Sequence, residues 1–479
     1  MSIPLLPVLP EIALLTAACV ILIADLFIPE RRRHWSYWMT QAALAVTAWI
    51  VVVTVQVDVV KAFNGMVVDD NLADLLKFCA LIAVSLMLFY GRAYLSARGL
   101  FRGELFVLVL FALLGMMVMI SAAHFLTLYL GLELLSLSLY ALVALQRDRR
   151  EPSEAAMKYF VLGALASGML LYGISMIYGA TGTLELDRVA EAALGGRGNT
   201  KLLLFGLVFV VSGLAFKLGV VPYHMWIPDV YDGAPTPITL LVGTAPKLAA
   251  FAITLRVLAG ALTSLEYDWQ GMLIVLSVLS MVLGNIIAIA QTSIKRMLAY
   301  STIANMGYML MGFLAGDRNG FSAAMFFTVA YVLTSVASFG MVLLLSRAGF
   351  EGDRIDDFKG LNQRSPWWAF IMLLVMFSLA GIPPTVGFYA KFTVIEAAVN
   401  QNFVWLAVIA VLTSLVGAFY YLRIVKLMYF DDPVDDAPIV APGDARALLS
   451  ANGLALLVLG ILPQPLMGLC ALALTQSHF

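Results

Sequence analysis

The chain has 479 residues, of which 62% are apolar and 12% are charged, and its mean hydropathy is +0.94. These values exclude an ordinary soluble domain and indicate an integral membrane protein. The net charge of −1, with no basic stripe on a soluble surface, excludes a role in nucleic-acid binding.

Fourteen apolar segments are long enough to cross a bilayer, because a hydrocarbon core about 30 Å thick requires roughly 20 helical residues. This predicts an all-α integral membrane protein with about 14 transmembrane helices. Short polar connections take up almost everything else, so no room remains for a separate soluble domain. The predicted spans are 8–28, 38–57, 72–91, 104–120, 124–145, 158–179, 202–222, 236–256, 270–290, 297–315, 322–346, 367–397, 402–427 and 448–470.

The basic residues predict the orientation of these spans. Most lysines and arginines of the connections follow odd-numbered spans, as in residues 31–33 and 147–150. By the positive-inside rule these connections are cytoplasmic, so both termini are expected outside. The first span has no basic leading region and no small-residue cleavage site, which predicts a retained helix rather than a signal peptide.

The fifth span carries a polar stripe that contains an acid. Tyr129, Glu133, Ser136 and Tyr140 follow one another at intervals of four, three and four residues, which places them on one helical face. A carboxyl group on such a stripe predicts a polar path through the apolar core.

Two spans carry helix breaks with the same pattern, G-x-x-P-x-x-x-aromatic. Proline removes a backbone donor and clashes with the preceding turn, so the seventh and twelfth spans are predicted to be broken. Such a break is tolerated in a membrane where the freed backbone groups are buried in protein or touch water. The pattern begins at Gly219 in the seventh span and at Gly381 in the twelfth.

A second match, Ala-Ala-Met at 155–157 and 323–325, lies in the sixth and eleventh spans. Both matches are offset by five spans, and an odd offset means that equivalent helices enter from opposite faces. This predicts two inverted five-helix repeats. The predicted organisation is three N-terminal spans in 1–103, one repeat in 104–256, a second repeat in 257–427 and a last span in 428–479.

Further polar stripes lie on the eighth, tenth and eleventh spans. They contain Thr236, Thr239, Gly243 and Lys247, then Ser301, Asn305 and Tyr308, then Thr328, Tyr331, Ser335 and Ser338. Hydroxyl and amide groups often hydrogen-bond between membrane helices. For the tenth and eleventh spans, helix–helix bonding and a water path therefore both stay open as interpretations.

Lys217, Lys247 and Lys391 lie within apolar spans, as Glu133 does. A charge at the bilayer centre costs at least about 2.5 kcal/mol, so it persists mainly beside a partner or a wet cavity. A structural ion pair or a snorkelling lysine is the alternative. Burial favours neutral lysine and glutamate, whereas an adjacent opposite charge favours their charged forms, so a buried Lys–Glu pair can switch its proton occupancy. Arginine could not, because it keeps its proton.

The cysteines and histidines predict no metal or cofactor site in this chain. The cysteines are isolated in apolar runs, without the spacing of a zinc or iron–sulfur site. The histidines are scattered, and His124 and His224 are near predicted helix ends. Their ordinary interpretation is interfacial hydrogen bonding, with His224 as a secondary proton-relay candidate. The cysteines are Cys19, Cys79 and Cys470.

Three runs resemble a known family. Residues 225–239 read Met-Trp-Ile-Pro-Asp-Val-Tyr-Asp-Gly-Ala-Pro-Thr-Pro-Ile-Thr, residues 243–247 read Gly-Thr-Ala-Pro-Lys, and residues 381–392 read Gly-Ile-Pro-Pro-Thr-Val-Gly-Phe-Tyr-Ala-Lys-Phe. They resemble the N subunits of bacterial proton-pumping NADH:quinone oxidoreductase, respiratory complex I, and the resemblance covers nearly the whole chain. The related M subunits typically have glutamate at the position of Lys391, and L subunits continue into a long lateral helix.

The resemblance implies an antiporter-like membrane-arm subunit and roles for particular residues. Glu133 and Lys217 would form a coupling pair, Lys247 the central relay and Lys391 the terminal proton site. Lys158 would be an accessory lysine at the cytoplasmic end of the sixth span. The tenth span has no acid matching Glu133, and Ser301 and Asn305 are the nearest polar candidates there.

The resemblance also implies partners and a location. NADH, FMN, iron–sulfur clusters and quinone would bind in other subunits, and the neighbours would be the M subunit, the small K, J and A subunits and lipid. The location would be the bacterial inner membrane, with both termini periplasmic. Two rival functions stay open: a subunit of a multisubunit cation/proton antiporter, and a structural spacer with inert ion pairs.

Overall fold

The computed structural model describes residues 5–56, 58–196, 199–434, 439, 441–475 and 477, so residue 57, predicted to end the second span, lies outside it. The described chain consists of helices joined by short connections and contains one antiparallel hairpin, Val60–Ala62 (β1) with Val67–Asp69 (β2). The all-α prediction is confirmed. Helices α1 to α20 are, in order, Leu9–Asp25, His34–Thr54, Asn71–Ala97, Gly103–Ile120, Phe125–Val143, Arg150–Thr181, Leu186–Leu194, Thr200–Leu218, Trp226–Gly233, Thr236–Gly243, Ala245–Thr254, Glu266–Ile289, Ile294–Leu314, Arg318–Leu345, Leu361–Arg364, Pro366–Ala380, Val386–Asn400, Val404–Phe430, Gly443–Ile461 and Gln464–Thr475.

Twelve helical stretches of the described chain are long and apolar enough to cross a membrane, and they coincide with every predicted span except the tenth and twelfth. The tenth span is α13, which contains Lys295, Ser301 and Asn305 and is buried along nearly its whole length. Its polar side chains therefore face protein rather than lipid. The twelfth span consists of two shorter helices, α16 and α17.

The two predicted breaks are confirmed, and a left-handed glycine ends the helix at each. Gly219 (φ +79°) follows α8 and donates to the carbonyl oxygen of Ala215, and Gly381 (φ +82°) follows α16 and donates to that of Phe377. Glycine reaches this conformation without steric cost, which is why it commonly ends helices. The chain then enters α9 and α17, respectively.

The eighth and fourteenth spans are also interrupted, although we expected continuous helices there. Thr244 (φ −122°, ψ −90°) separates α10 from α11, and Pro246 occupies the first turn of α11, where its missing N–H is tolerated. A π-helix, Leu255–Ala261, follows α11. In the fourteenth span α19 ends at Ile461 and α20 starts after Pro463, so the single helix predicted over 448–470 is wrong.

Helix neighbours recur at the offset that the sequence matches predicted. The α4–α5, α5–α6 and α6–α8 pairs of the first half correspond to α12–α13, α13–α14 and α14–α17 in the second. The eighth and eleventh spans are enclosed by the rest of the chain: in each, 94% of an apolar stretch of 18 residues is buried. The division into inverted repeats with the stated boundaries stays a prediction that these pairs support.

Candidate functional site

Lys247 lies on α11 in the centre of the enclosed core and is only 1% exposed. Its Nζ donates hydrogen bonds to the carbonyl oxygens of Lys217 (3.3 Å) and Leu218 (2.8 Å), the last two residues of α8. The same Nζ lies 5.5 Å from the centre of the Trp226 ring. The negative end of a helix dipole and the face of an aromatic ring both stabilise a cation. We call these groups the Lys247 cage.

Lys391 occupies a matching cage at the second break. Its Nζ donates to the carbonyl oxygens of Leu379 and Ala380, both at 3.0 Å, and these residues end α16. It also donates to Ser414 Oγ (3.1 Å) and lies 4.9 Å from the Tyr308 ring centre. Lys391 thus contacts the end of the first helix of its own span, whereas Lys247 lies on the eighth span and contacts the end of the broken seventh span.

Each terminating glycine lies beside the lysine that contacts its helix end. A Cβ atom added to Gly219 or to Gly381 would lie 3.5 Å from the lysine Nζ. Among the described residues, neither Lys247 nor Lys391 forms a salt bridge, so backbone carbonyls, a ring face and, at Lys391, one hydroxyl surround the ammonium groups. An ammonium held in this way can lose its proton without leaving a carboxylate unpaired.

Glu133 on α5 and Lys217 on α8 do not contact each other directly. Lys217 Nζ donates to Ser136 Oγ at 2.6 Å, and the Ser167 hydroxyl donates to Glu133 Oε1. Ser136 is about one helical turn beyond Glu133 on α5, so the residue that contacts the Lys217 ammonium lies roughly 5 Å from Glu133 along the helix axis. Both charged residues are half-buried. The structure therefore places the predicted pair side by side, with Ser136 as the contact of the lysine.

Polar groups of α13 and α14 lie in the region next to Lys391. Ser301 Oγ is 2.5 Å from Tyr421 Oη, and Tyr331 Oη donates to Thr302 Oγ1 at 2.7 Å. Asn305 Nδ2 donates to the Ser301 carbonyl oxygen at 2.8 Å. A cavity of about 20 Å³, room for one water molecule, is lined half by apolar residues and glycine and half by polar side chains. These are Asn305, Tyr331, Thr334, Ser378 and Lys391.

Other predicted residues lie outside this centre. The side chain of Lys158 is 44% exposed and forms ion pairs with Glu154 (3.0 Å) and Asp229 (2.8 Å). His224 is half-buried in the break after α8, and its Nδ1 has no hydrogen-bond partner among the described residues. Tyr129 is half-buried, one turn before Glu133 on α5.

Sequence reasoning missed Ser167 and Tyr421. Ser167 lies on α6 beside Glu133, and Tyr421 lies on α18 beside Ser301. Each is a polar residue in an apolar span, which is a signal, but neither belongs to a polar stripe of its own. Their contacts depend on helix packing, and the spacing of residues along one helix does not show it.

The chain matches a family model described as NADH:quinone oxidoreductase/Mrp antiporter, transmembrane, over residues 122–417. It is 61% identical over 472 residues to NADH-quinone oxidoreductase subunit N of Thiobacillus denitrificans (strain ATCC 25259 / T1), covering 98% of both chains. It is similar to a chain of respiratory complex I from Thermus thermophilus with bound aureothin: the TM-score is 0.83 at 33% identity, covering 96% of this chain and 99% of that one.

A chain of the Mrp complex from Dietzia sp. DQ12-45-1b has the same fold, with a TM-score of 0.83 at 22% identity, covering 98% of this chain and 96% of that one. The resemblance carried by residues 225–239, 243–247 and 381–392 is thus confirmed. The chain belongs to the family of NADH-quinone oxidoreductase subunit N.

Proposed function

We propose that this chain moves protons in the membrane arm of NADH:quinone oxidoreductase through Glu133, Lys217, Lys247 and Lys391, without a redox cofactor of its own. The observation that carries the proposal is the pair of matching cages around Lys247 and Lys391. Two ammonium groups deep in a bilayer are costly, and such groups usually mark an ion pathway. Their neutral surroundings suit groups that gain and lose a proton.

The first step takes place at α5 and α8. A shift of the Lys217 side chain along α5 would bring its ammonium group from Ser136 to Glu133. The ion pair formed there would stabilise the charged form of the lysine. Lys247 reaches the backbone carbonyl of Lys217, so the two lysines are near neighbours. Like charges repel, and breaking the Glu133–Lys217 pair therefore drives the proton of Lys247 onward.

The onward path runs through α13 and α14 to Lys391. Hydroxyl and amide groups there hydrogen-bond across helices, and the small cavity beside Lys391 has room for one bridging water. Ser301, Asn305 and Tyr331 are the secondary relay groups, with Tyr129, Ser136 and His224 on the first half. Lys158 lies in an ion-pair cluster outside the core, as an accessory group at the cytoplasmic end of α6.

The energy for this movement comes from neighbouring subunits. NADH oxidation and quinone reduction, with FMN and iron–sulfur clusters, take place elsewhere in the assembly. The contacts are the antiporter-like M subunit, the small K, J and A subunits and lipid, in a bacterial inner membrane with both termini periplasmic. The half-burial of Glu133 and Lys217 in the isolated chain supports a site that a neighbour can reach.

The test is NADH-driven proton pumping in membrane vesicles, with assembled complex quantified in parallel. Lys247→Ala should abolish most pumping while assembly persists. Lys247→Arg should do the same, because arginine keeps the charge but does not release its proton. The matched control is Lys201→Ala, which removes an exposed lysine at the start of α8. Normal pumping by both Lys247 variants would refute the proposal.

Two rivals make different predictions. A subunit of a cation/proton antiporter would not co-purify with NADH-oxidising subunits. A structural spacer would tolerate the simultaneous neutralisation of Glu133 and Lys217 without loss of pumping.

A further inference from the structure

Tyr231 carries a buried hydroxyl group that neither lysine cage uses. The residue lies in α9, within the run 225–239, and it is fully buried. Its Oη is buried as well and has no hydrogen-bond partner among the described residues. Burying a hydroxyl group without a partner costs about 1–3 kcal/mol, whereas a phenylalanine would fill the same space without this cost. Such an exception requires a reason, and a part in proton transfer is one.

One side of Tyr231 faces the Lys247 cage. Its ring contacts the Trp226 ring edge to face, with the ring centres 6.5 Å apart, and Trp226 is the aromatic wall of that cage. Its Oη lies against Gly243, where an added Cβ atom would be only 3.1 Å from it. Gly243 is the last residue of α10. The hydroxyl group therefore lies beside the break between α10 and α11, four residues before Lys247.

The other side of Tyr231 faces the polar groups of the second half. The helix α9 packs against α13, and α10 packs against α14. The Tyr231 phenol interacts electrostatically with Tyr331 on α14. Thr302 on α13 is near its hydroxyl group, although the two form no hydrogen bond as the side chains stand. Tyr331 Oη donates to Thr302 Oγ1 at 2.7 Å, and Tyr331 lines the same small cavity as Lys391. These contacts link Tyr231 to the surroundings of Lys391.

The backbone and the ring of Tyr231 are fixed, whereas its hydroxyl hydrogen is free to turn. Thr239 Oγ1 donates to the Tyr231 carbonyl oxygen at 2.9 Å, and Lys295 Nζ donates to that of Ala234, just after α9, at 2.8 Å. The Phe339 ring of α14 packs against the phenol with the ring centres 6.0 Å apart. A phenol is both a donor and an acceptor, and rotation about its C–O bond points the hydrogen to either side without moving the ring.

We propose that Tyr231 is a relay residue that passes protons from Lys247 to the hydroxyl groups of α13 and α14. The inference rests on the proposed proton path and supplies the group that joins its two halves. In each transfer the Tyr231 oxygen accepts one proton from the Lys247 side and releases its own hydrogen toward Thr302, through a water molecule where the gap exceeds a hydrogen bond. The Lys247 ammonium becomes a neutral amine, Lys391 becomes an ammonium, and the phenol is left as it was.

The test is Tyr231→Phe in the assembled complex, with NADH-driven pumping in vesicles and the melting temperature both measured. The substitution keeps the ring and removes only the hydroxyl group. We expect pumping to fall about tenfold, less than the roughly hundredfold effect of losing a proton-transfer group, because water fills part of the gap. The melting temperature should be unchanged or higher, since no partner is left unpaired. Normal pumping, or lost pumping with a lower melting temperature, would overturn the inference.

Tyr37→Phe is the matched control. Tyr37 is another buried tyrosine, on α2, and its Oη accepts a hydrogen bond from Gln41 at 3.3 Å. This variant should melt at a slightly lower temperature and pump normally, which is the reverse of the result expected for Tyr231→Phe. Equal pumping by the two variants would count against a role for the Tyr231 hydroxyl group.

A double variant distinguishes one shared path from two independent effects. If Tyr231 and Tyr331 act in series, the variant with both changed to phenylalanine should pump about as slowly as the slower single variant, because groups that act as a unit are not additive. Multiplied losses would overturn the link between them. Lys247→Ala, measured in the same vesicles, tests the path itself, and normal pumping there would refute the proposed function. Lost pumping by Lys247→Ala with normal pumping by Tyr231→Phe would refute only the role of Tyr231.

Discussion

Ser136, about one turn beyond Glu133 on α5, is the side chain that contacts the Lys217 ammonium. Its hydroxyl accepts from Lys217 Nζ and donates to the Leu132 carbonyl oxygen. Ser136→Ala should leave the charged donor without this partner, at a cost of about 1.5–3 kcal/mol. We expect NADH-driven pumping to fall at least tenfold, since 1.36 kcal/mol already corresponds to that factor in rate.

Ser138→Ala is the control for this substitution. Ser138 lies two residues further along α5, and its hydroxyl bonds the Leu134 carbonyl oxygen of its own helix. Pumping by the Ser138 variant should be unchanged. Equal pumping by both variants would mean that Ser136 has no part in positioning Lys217.

At the residue scale the sequence identified the charged groups but not their partners. Lys247 and Lys391 stood out because they interrupt apolar runs. Their acceptors are backbone carbonyls, which no side-chain pattern marks and which depend on where α8 and α16 end. The polar stripes contain two kinds of hydrogen bond: Tyr331 donates to a residue of another helix, whereas Thr328 donates to the Ala324 carbonyl oxygen of its own helix.

At the scale of elements, the helix ends form the cages, and glycine is required there. Gly381→Ala would force a left-handed conformation on a residue with a side chain, which costs about 1–2 kcal/mol. The new Cβ would also lie 2.8 Å from Lys391 Cδ. We expect a lower melting temperature of the assembled complex and reduced pumping, because the lysine must shift away from the end of α16.

Gly168→Ala is the matched control, because nothing lies within 4 Å of a Cβ atom added there and the residue is within α6. Alanine is the better helix former by about 1 kcal/mol, so this variant should be as stable as the parent or more so. A Gly381 variant as stable as the parent would show that the cage around Lys391 tolerates a displacement of the lysine side chain.

The β1–β2 hairpin contributes a buried acid, Asp69, which is 4% exposed. Burial raises the pKa of Asp69 from 3.8 to about 6, although Lys77 opposes this, and the nearby Glu11 and Asp70 raise it further. Between these two pH values the folded chain binds more protons than the unfolded chain. The free energy of unfolding therefore falls as the pH rises through this interval, by on the order of 1–3 kcal/mol.

Asp69→Asn should remove this penalty. The variant should melt at a higher temperature than the parent at about pH 8, should keep about half of that advantage at about pH 5 and should lose it below about pH 4. Asp58→Asn, at an exposed position before the hairpin, should melt as the parent does at all of these pH values. A pH-independent difference for the Asp69 variant would exclude ionisation as the cause.

The breaks show what local sequence does and does not determine. The G-x-x-P pattern predicted the ends of α8 and α16, because glycine and proline act on the backbone directly. Pro246 and Pro463 were also visible, yet the interruptions beside them were not expected. A proline is compatible with the first turn of a helix as well as with a kink, so only the surrounding packing decides between them.

On the scale of the whole molecule, hydropathy predicted the spans but not their packing. The helix Arg318–Leu345 and the helix Val404–Phe430 have the same window hydropathy of 2.0, yet 94% of the first window and 39% of the second are buried. Lipid is as apolar as a protein core, so composition does not distinguish a central helix from a peripheral one. The enclosed position of Lys247 could therefore not be predicted from composition.

The predicted orientation of the molecule rests on its basic connections and is open to a direct test. Asp58→Cys and Arg31→Cys each place a thiol at an exposed position on opposite predicted sides. In intact cells, a membrane-impermeant maleimide should label the Asp58 variant, in the predicted periplasmic connection, and spare the Arg31 variant. In inverted vesicles the pattern should reverse, because basic connections are retained on the cytoplasmic side.

The parent chain, which has three cysteines of its own, should not be labelled in this experiment. Cys19, Cys79 and Cys470 all lie within apolar helices, α1, α3 and α20, where a charged reagent does not penetrate. Labelling of the Arg31 variant in intact cells would show that the predicted orientation is reversed. Lys158 would then lie at the periplasmic end of α6.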